Sequence, residues 1–262
     1  MADSIRVEHV SKRFTLRYHR TFKQVTVAKA KGRKISESFP AINDVSFTVA
    51  QGESIGLMGL NGSGKSTLLK MINGVMRPDE GRILVRGRIA GLIATGAGFH
   101  PQLSGRENIM LNAAILGMTE KELARKYDEI VDFSGLSPKL LETEVGHYSS
   151  GQSARLGFSV AIHVDSDVFL ADEVLAVGDR PFKRKCLQKM EEVRDSGRTL
   201  FYVSHASASV RRMCSRVIVL EEGRVAFDGD VEDGIRYLEY DGNDEEFLPG
   251  EEESDEELGA DI

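Results

Sequence analysis

The chain has 262 residues, 41% of them hydrophobic, and a formal net charge of −7, enough for one large domain or two small ones with a sizeable core. No apolar run approaches the roughly 20 residues that span a bilayer, and no signal-peptide core stands at the N-terminus. Two cysteines far apart, Cys186 and Cys214, form neither a disulfide framework nor a metal-ligand spacing, so the sequence points to a cytosolic protein with reduced thiols.

Residues 5–10 alternate apolar and polar side chains in the manner of a strand, and residues 44–49 do the same. Between them, residues 15–40 carry seven Lys or Arg against the single acid Glu37, a basic insertion. It has no helical basic stripe and few aromatics beyond Tyr18 and Phe22. It is compatible with a nucleic-acid patch, and equally with a loop near anionic headgroups or a membrane partner.

The apolar run Ser54-Ile55-Gly56-Leu57-Met58 leads into Gly59-Leu60-Asn61-Gly62-Ser63-Gly64-Lys65-Ser66-Thr67, which fits the phosphate-binding pattern G-x-x-x-x-G-K-[ST] at every specified position. The helical run Leu68-Leu69-Lys70-Met71-Ile72 follows, giving the motif its required setting of strand, loop and helix. Glycines let successive N–H groups turn inward on phosphate oxygens at a helix N-terminus. Lys65 would reach the outer phosphates, and the Ser66 hydroxyl would ligate Mg²⁺.

A turn at Asp79-Glu80-Gly81 precedes short strands at residues 82–85 and 89–93. Beyond the connector Gly96-Ala97-Gly98-Phe99-His100-Pro101, Ser104 with Glu107 and Thr119 with Glu122 read as capping boxes. Residues from about 97 to 163 are therefore expected to form a helical subdomain. Two further strands end on chemistry: residues 168–171 run into Asp172-Glu173, and residues 199–203 into Ser204-His205. Helical stretches near 181–196 and 206–215, then a strand at 217–220, complete an α/β alternation with a mainly parallel sheet.

Ligands of open α/β sheets bind beyond the carboxyl ends of the strands. The phosphate loop, Asp172-Glu173 and His205 all stand at such ends, so they are expected to converge on one nucleotide. Asp172 would hold Mg²⁺, Glu173 would orient or deprotonate the attacking water, and His205 would contact the γ-phosphate.

The segment Tyr148-Ser149-Ser150-Gly151-Gln152 makes the chain resemble the ATP-binding cassette ATPases, as a variant of their Leu-Ser-Gly-Gly-Gln signature. The resemblance covers about residues 3 to 238. It implies a P-loop NTPase of the ABC nucleotide-binding type, with an N-terminal antiparallel β part and a helical subdomain. It also implies a head-to-tail homodimer in which Ser149, Ser150, Gly151 and Gln152 of one copy face the ATP held by Gly59, Asn61, Gly62, Ser63, Gly64, Lys65, Ser66 and Thr67 of the other. Phe14 would stack on adenine, with Tyr18 the substitute, and Ala176-Val177-Gly178-Asp179 would cross the dimer seam.

Within that family the chain is similar to the ATP-binding subunits of polysaccharide exporters. The similarity rests on the connector at 96–101, Leu103-Ser104-Gly105-Arg106-Glu107-Asn108-Ile109, Ala154-Arg155-Leu156-Gly157-Phe158 and Asp172-Glu173-Val174-Leu175-Ala176-Val177-Gly178-Asp179. Such subunits work at the cytoplasmic face of the cell membrane with a separate permease and a lipid-linked glycan; no nucleic acid is expected. One departure is Ala94-Thr95, where the family places glutamine or glutamate before the connector. Two other readings follow: a soluble cassette acting on nucleic acid or ribosomes, and an ATP-binding switch that does not hydrolyse. The last segment, 241–262, holds eleven acidic residues and no Lys or Arg, and reads as a disordered tail after a domain at 1–240.

Overall fold

The computed structural model describes residues 2–17, 36–91, 98–172 and 179–241. Strands β1 (Asp3–Arg17) and β2 (Ser36–Ala50) pair antiparallel from Asp3 opposite Ala50 to Arg17 opposite Ser36. Strand β4 (Glu80–Val85) lines the other edge of β1 and completes a three-stranded sheet. In β2 the buried Val45, Phe47 and Val49 alternate with exposed residues, as a half-buried strand requires.

The basic insertion expected at 15–40 thus begins and ends as paired strand, since β1 continues to Arg17 and β2 starts at Ser36. Apolar alternation does not announce this extension. It is carried by ladder bonds and by one cross-strand aromatic pair, Phe14 and Phe39, with ring centroids 5.9 Å apart. Residues 18–35 of the insertion lie outside the described residues, as do Ala94-Thr95, Glu173, residues 176–178 and the acidic segment from 242.

The second sheet has strand order β5-β6-β7-β3-β8-β9, where β3 is Ser54–Met58, β5 Ile89–Gly91, β6 Val168–Asp172, β7 Thr199–Val203, β8 Arg216–Glu221 and β9 Arg224–Asp230. All neighbours pair parallel except β9, which runs antiparallel to β8. Both faces are covered, and side-chain alternation divides two cores between them. On one face Ile55, Leu57, Leu170 and Phe201 meet Leu68, Leu69 and Ile72 of α1 (Lys65–Ile72) together with Ile5 and Phe47 of the antiparallel sheet. On the other face Phe169, Ala171, Tyr202 and Val217 meet the remaining helices. Burying an apolar side chain of this size contributes about 1.5–3 kcal/mol.

Those helices are α2 (Gly105–Ile115), α3 (Glu120–Ser134), α4 (Pro138–Leu141), α5 (Ser150–Ile162), α6 (Arg180–Asp195), α7 (Ser207–Met213) and α8 (Val231–Asp241), with a 3₁₀ turn at Val145–His147. Both predicted capping boxes form: the Ser104 and Thr119 hydroxyls accept from the N–H groups of Glu107 and Glu122, whose carboxylates accept in return. Glu122 does more than cap. Its carboxylate accepts two bonds from Arg88 Nη1, at 3.1 and 2.9 Å, and one from Asp165 N–H at 3.1 Å, which fastens α3 to the edge of the parallel sheet. Burial opposes ionisation of this carboxyl, yet Arg88 and the Asp165 and Thr119 N–H groups hold it below the ordinary range.

Helix α8 runs the height of β8. Val231 N–H donates to Ser215 O at the start of that strand, and the Tyr237 hydroxyl donates to Glu221 at its end. Cys186 and Cys214 are free and buried, and burial pushes each thiol up to about 12.

Candidate active site

Strand β3 is fully buried in the middle of the parallel sheet, and the chain leaves its carboxyl end through Gly59. The loop at 59–64 turns through left-handed backbone: Gly59 has φ 134° and Gly64 φ 109°. These positions also lack room for a side chain, because a Cβ on Gly59 would lie 2.1 Å from Leu220 O and one on Gly64 2.4 Å from Ala41 O. The loop is thereby clamped between β8 and β2. A further tie comes from Gly223 N–H, which donates to Ser63 O at 3.0 Å.

Lys65 is buried inside this loop. Its ammonium donates to Gly59 O at 2.6 Å and Leu60 O at 2.9 Å. The first turn of α1 holds no acidic residue, and its N-cap, Gly64, supplies no side chain to the exposed N–H groups. Among the described residues the buried Ser63 hydroxyl has no hydrogen-bond partner. A lysine, an uncapped helix N-terminus and an orphaned hydroxyl in one clamped loop fit a phosphate group. A cavity of about 590 Å³ opens beside them, between Leu60-Asn61-Gly62-Ser63 and the turn from β8 to β9.

Register places the other predicted groups at the same level. Asp172, the last residue of β6, pairs with Val203 of β7, and Val203 pairs on its other side with Leu57 of β3. The ends of β6, β7 and β3 therefore stand side by side, adjacent strands being about 4.8 Å apart. Ser204 is buried, and its hydroxyl accepts from Ala206 N–H at 3.1 Å, which turns the chain and leaves His205 exposed at the same end. Among the described residues no cluster of three His, Cys, Asp or Glu could cage a metal. Ser66 and Asp172 fit a magnesium ion that draws its remaining ligands from phosphate and water.

Phe14 lies on β1 opposite Phe39 of β2, and two residues beyond Phe39 the carbonyl of Ala41 touches Gly64. The aromatic pair thus stands next to the phosphate loop, and Phe39 is 41% exposed. The pairing partner was not visible from sequence, because only the ladder brings 14 and 39 together.

The signature stretch stands apart. Ser149 caps α5: its hydroxyl accepts from Gln152 N–H, and the side-chain Oε1 of Gln152 accepts from Ser149 N–H at 2.9 Å. Ser150 is exposed at the first position of the helix and Gly151 half-buried behind it. The apolar residues of α5 pack on the opposite face of the sheet from those of α1, so one chain does not bring 149–152 onto its own loop at 59–67. Asp179 caps α6, accepting from Phe182 N–H at 3.1 Å, and lies 4.0 Å from Arg155 of α5. Glu173, the expected general base, is outside the described residues.

A glycine-rich loop on the central strand, flanked by a carboxylate and an imidazole at neighbouring strand ends, defines a phosphate-loop nucleotide-binding domain. Comparison with known proteins narrows the class: the chain belongs to the ABC transporter family, whose profile matches residues 42–176, as one of its ATP-binding ATPase cassettes. It is 45% identical over 202 residues to the O-antigen export system ATP-binding protein RfbB of Klebsiella pneumoniae, covering 77% of this chain and 80% of that protein. It is 45% identical to the ABC transporter protein AbcA of Aeromonas salmonicida, over 73% of this chain and 62% of AbcA. With the teichoic acids export ATP-binding protein TagH of Bacillus anthracis it shares 38% identity, over 90% of this chain and 42% of TagH. In fold it matches the ATP-binding subunit of an ABC transporter, with TM-score 0.70, 24% identity, and 91% and 95% of the two chains covered. A post-hydrolysis dimer of an ATP-binding cassette bound to ADP and Pi gives TM-score 0.68 at 21% identity, over 87% and 98%.

Proposed function

We propose that this chain is the ATP-hydrolysing subunit of an exporter that moves a lipid-linked polysaccharide across the cytoplasmic membrane, working at the cytoplasmic face with a separate transmembrane permease. The alignment of the phosphate loop, Asp172 and His205 across three adjacent strand ends carries the ATPase reading. The names of relatives at 45% and 38% identity, which act on O-antigen and teichoic acids, support the choice of cargo.

In this reading Lys65 leaves the loop carbonyls for the outer phosphates, and the helix N–H groups with the Ser63 hydroxyl replace their water shell. Ser66 and Asp172 would hold Mg²⁺, which would neutralise charge on the phosphates when bound. Glu173 takes a proton from the attacking water, and His205 holds the γ-phosphate in line. Because the signature helix lies on the other face of the sheet, a second copy supplies 149–152 to each nucleotide. The dimer closes by differential affinity for the ATP-bound state and reopens after hydrolysis.

The permease docks on the helical layer. A groove of about 590 Å³ between α2 and α3 is lined mainly by apolar side chains, among them Met110, Met118, Leu123 and Tyr127. Met110 is 49% and Ile115 59% exposed, which suits the apolar face of a partner helix. No helix among the described residues is long and apolar enough to cross a membrane.

Mg²⁺-dependent ATP turnover of the chain with its membrane subunit in lipid tests this reading. Glu173→Gln is expected to lower turnover by roughly 10² or more while ATP still binds. Binding without hydrolysis in both proteins would overturn it in favour of a nucleotide switch, with Ala94-Thr95 as the reason.

A further inference from the structure

We propose that Arg155 is a positioning residue that locks the signature end of α5 to the first turn of α6, so that both meet the second copy as one rigid piece. The proposal rests on the dimer reading above.

Arg155 lies one turn into α5, and its guanidinium serves three elements. Nε donates to Ser134 O at 3.0 Å, at the carboxyl end of α3. The cation stacks over the Phe182 ring of α6 at 4.9 Å. Nη1 stands 4.0 Å from Oδ2 of Asp179, the cap of α6. A planar, always charged fork does all three at once, and a lysine ammonium does not.

The surroundings are built to hold it there. Phe182 is 3% exposed and wedged edge-on against Phe133 of α3 and Phe158 of α5. Lys185 of α6 donates to Asp132 O and Phe133 O, so two cations satisfy the last carbonyls of α3. Gly135, with φ 61°, leaves the space behind the guanidinium, since a Cβ there would come 2.5 Å from Nη2.

Two helix starts are thereby held at a fixed offset: residue 150, opening the signature helix, and residue 180, just beyond Asp179. The same contacts reach α3, whose opposite end lines the apolar groove through Leu123 and Tyr127. A push on that groove and a pull at the seam act on one body.

The test uses the Glu173→Gln chain as parent and measures its Mg²⁺-ATP-dependent dimerisation by sedimentation velocity. Arg155→Lys and Asp179→Asn are made singly and together, Asn being as good a helix cap as Asp, so the second variant folds even if the first does not. Asp179→Asn is expected to weaken the dimer about three- to fivefold, since its carboxylate is mostly exposed, Arg155→Lys at least as much, and the pair together no more than Arg155→Lys alone, since contacting residues couple. Binding of a fluorescent ATP analogue to the dilute monomer should stay within about twofold of the parent, because the phosphate loop is remote from these residues. Parent-like dimers in Asp179→Asn, or losses that multiply in the double variant, would overturn the proposal. A parent that binds ATP and stays monomeric would remove the dimer reading itself, and the proposal with it.

Discussion

Ser63 illustrates how a single side chain separates folding from function. Its buried hydroxyl has no partner among the described residues, a state that costs the folded chain the desolvation of a polar group. Ser63→Ala removes that cost, so the melting temperature of the nucleotide-free chain should hold or rise. On the proposed reading the same change removes a donor to a phosphate oxygen, and a hydrogen bond to a charged group is worth enough to weaken nucleotide affinity about tenfold. Calorimetric melting and titration with ATP check the two halves; a fall in both would show that Ser63 serves the fold instead. Lys65 differs, since in the fold its ammonium is already bonded to the Gly59 and Leu60 carbonyls, bonds it would exchange for phosphate on the proposed reading.

At the scale of the element, the start of α5 divides the roles of two adjacent serines. Ser149 satisfies the helix N-terminus through its box with Gln152, whereas Ser150 stands exposed at the first helical position. Ser149→Ala should cost about 1 kcal/mol, and for a chain of this size that lowers the melting temperature by about 2–4 °C. Ser150→Ala should leave melting unchanged and lower ATP turnover. Scanning calorimetry with a turnover assay distinguishes them, and equal melting losses would mean that both serve the cap.

The capping boxes at Ser104 and Thr119 were legible because each is written within four residues of sequence, as were the phosphate loop and the strands that lead to Asp172 and His205. Non-local contacts were not legible. The extension of β1 and β2 past the expected strands rests on pairing between residues as far apart as Arg17 and Ser36. Arg155 was legible only as part of the stretch 154–158 that carries the family similarity; its bridging contacts were not, because its partners arrive from Ser134, Asp179 and Phe182 on other elements. Glu122 was readable as half of a capping box, but its bond to Arg88 exists only once α3 lies on the sheet.

For the whole molecule, His163 sets a pH limit. The ring caps α5, is 7% exposed, and lies 2.7 Å from Ser159 O and edge-on to Phe133. Burial pushes its pKa below the ordinary value, against the opposing pull of the Ser159 carbonyl. The unfolded chain therefore binds a proton near pH 6.5 that the folded ring refuses, so stability is present above that pH and declines as pH falls through it. Glu122 and Asp165 are held low and lose their contribution only below about pH 4.5. Melting temperature should thus drop between pH 7.5 and 5.5, and His163→Gln should flatten that slope. An unchanged slope in the variant would assign the pH dependence to other groups.

The two buried thiols carry a practical consequence. With both held up to about 12 by burial, neither is nucleophilic near neutral pH, and the chain serves as its own cysteine-silent background for labelling. Glu239 is exposed, two residues past the tyrosine that touches the end of β8. A single Glu239→Cys change therefore places one dye per copy near the carboxyl end of β8, where donor- and acceptor-labelled copies report their approach by energy transfer.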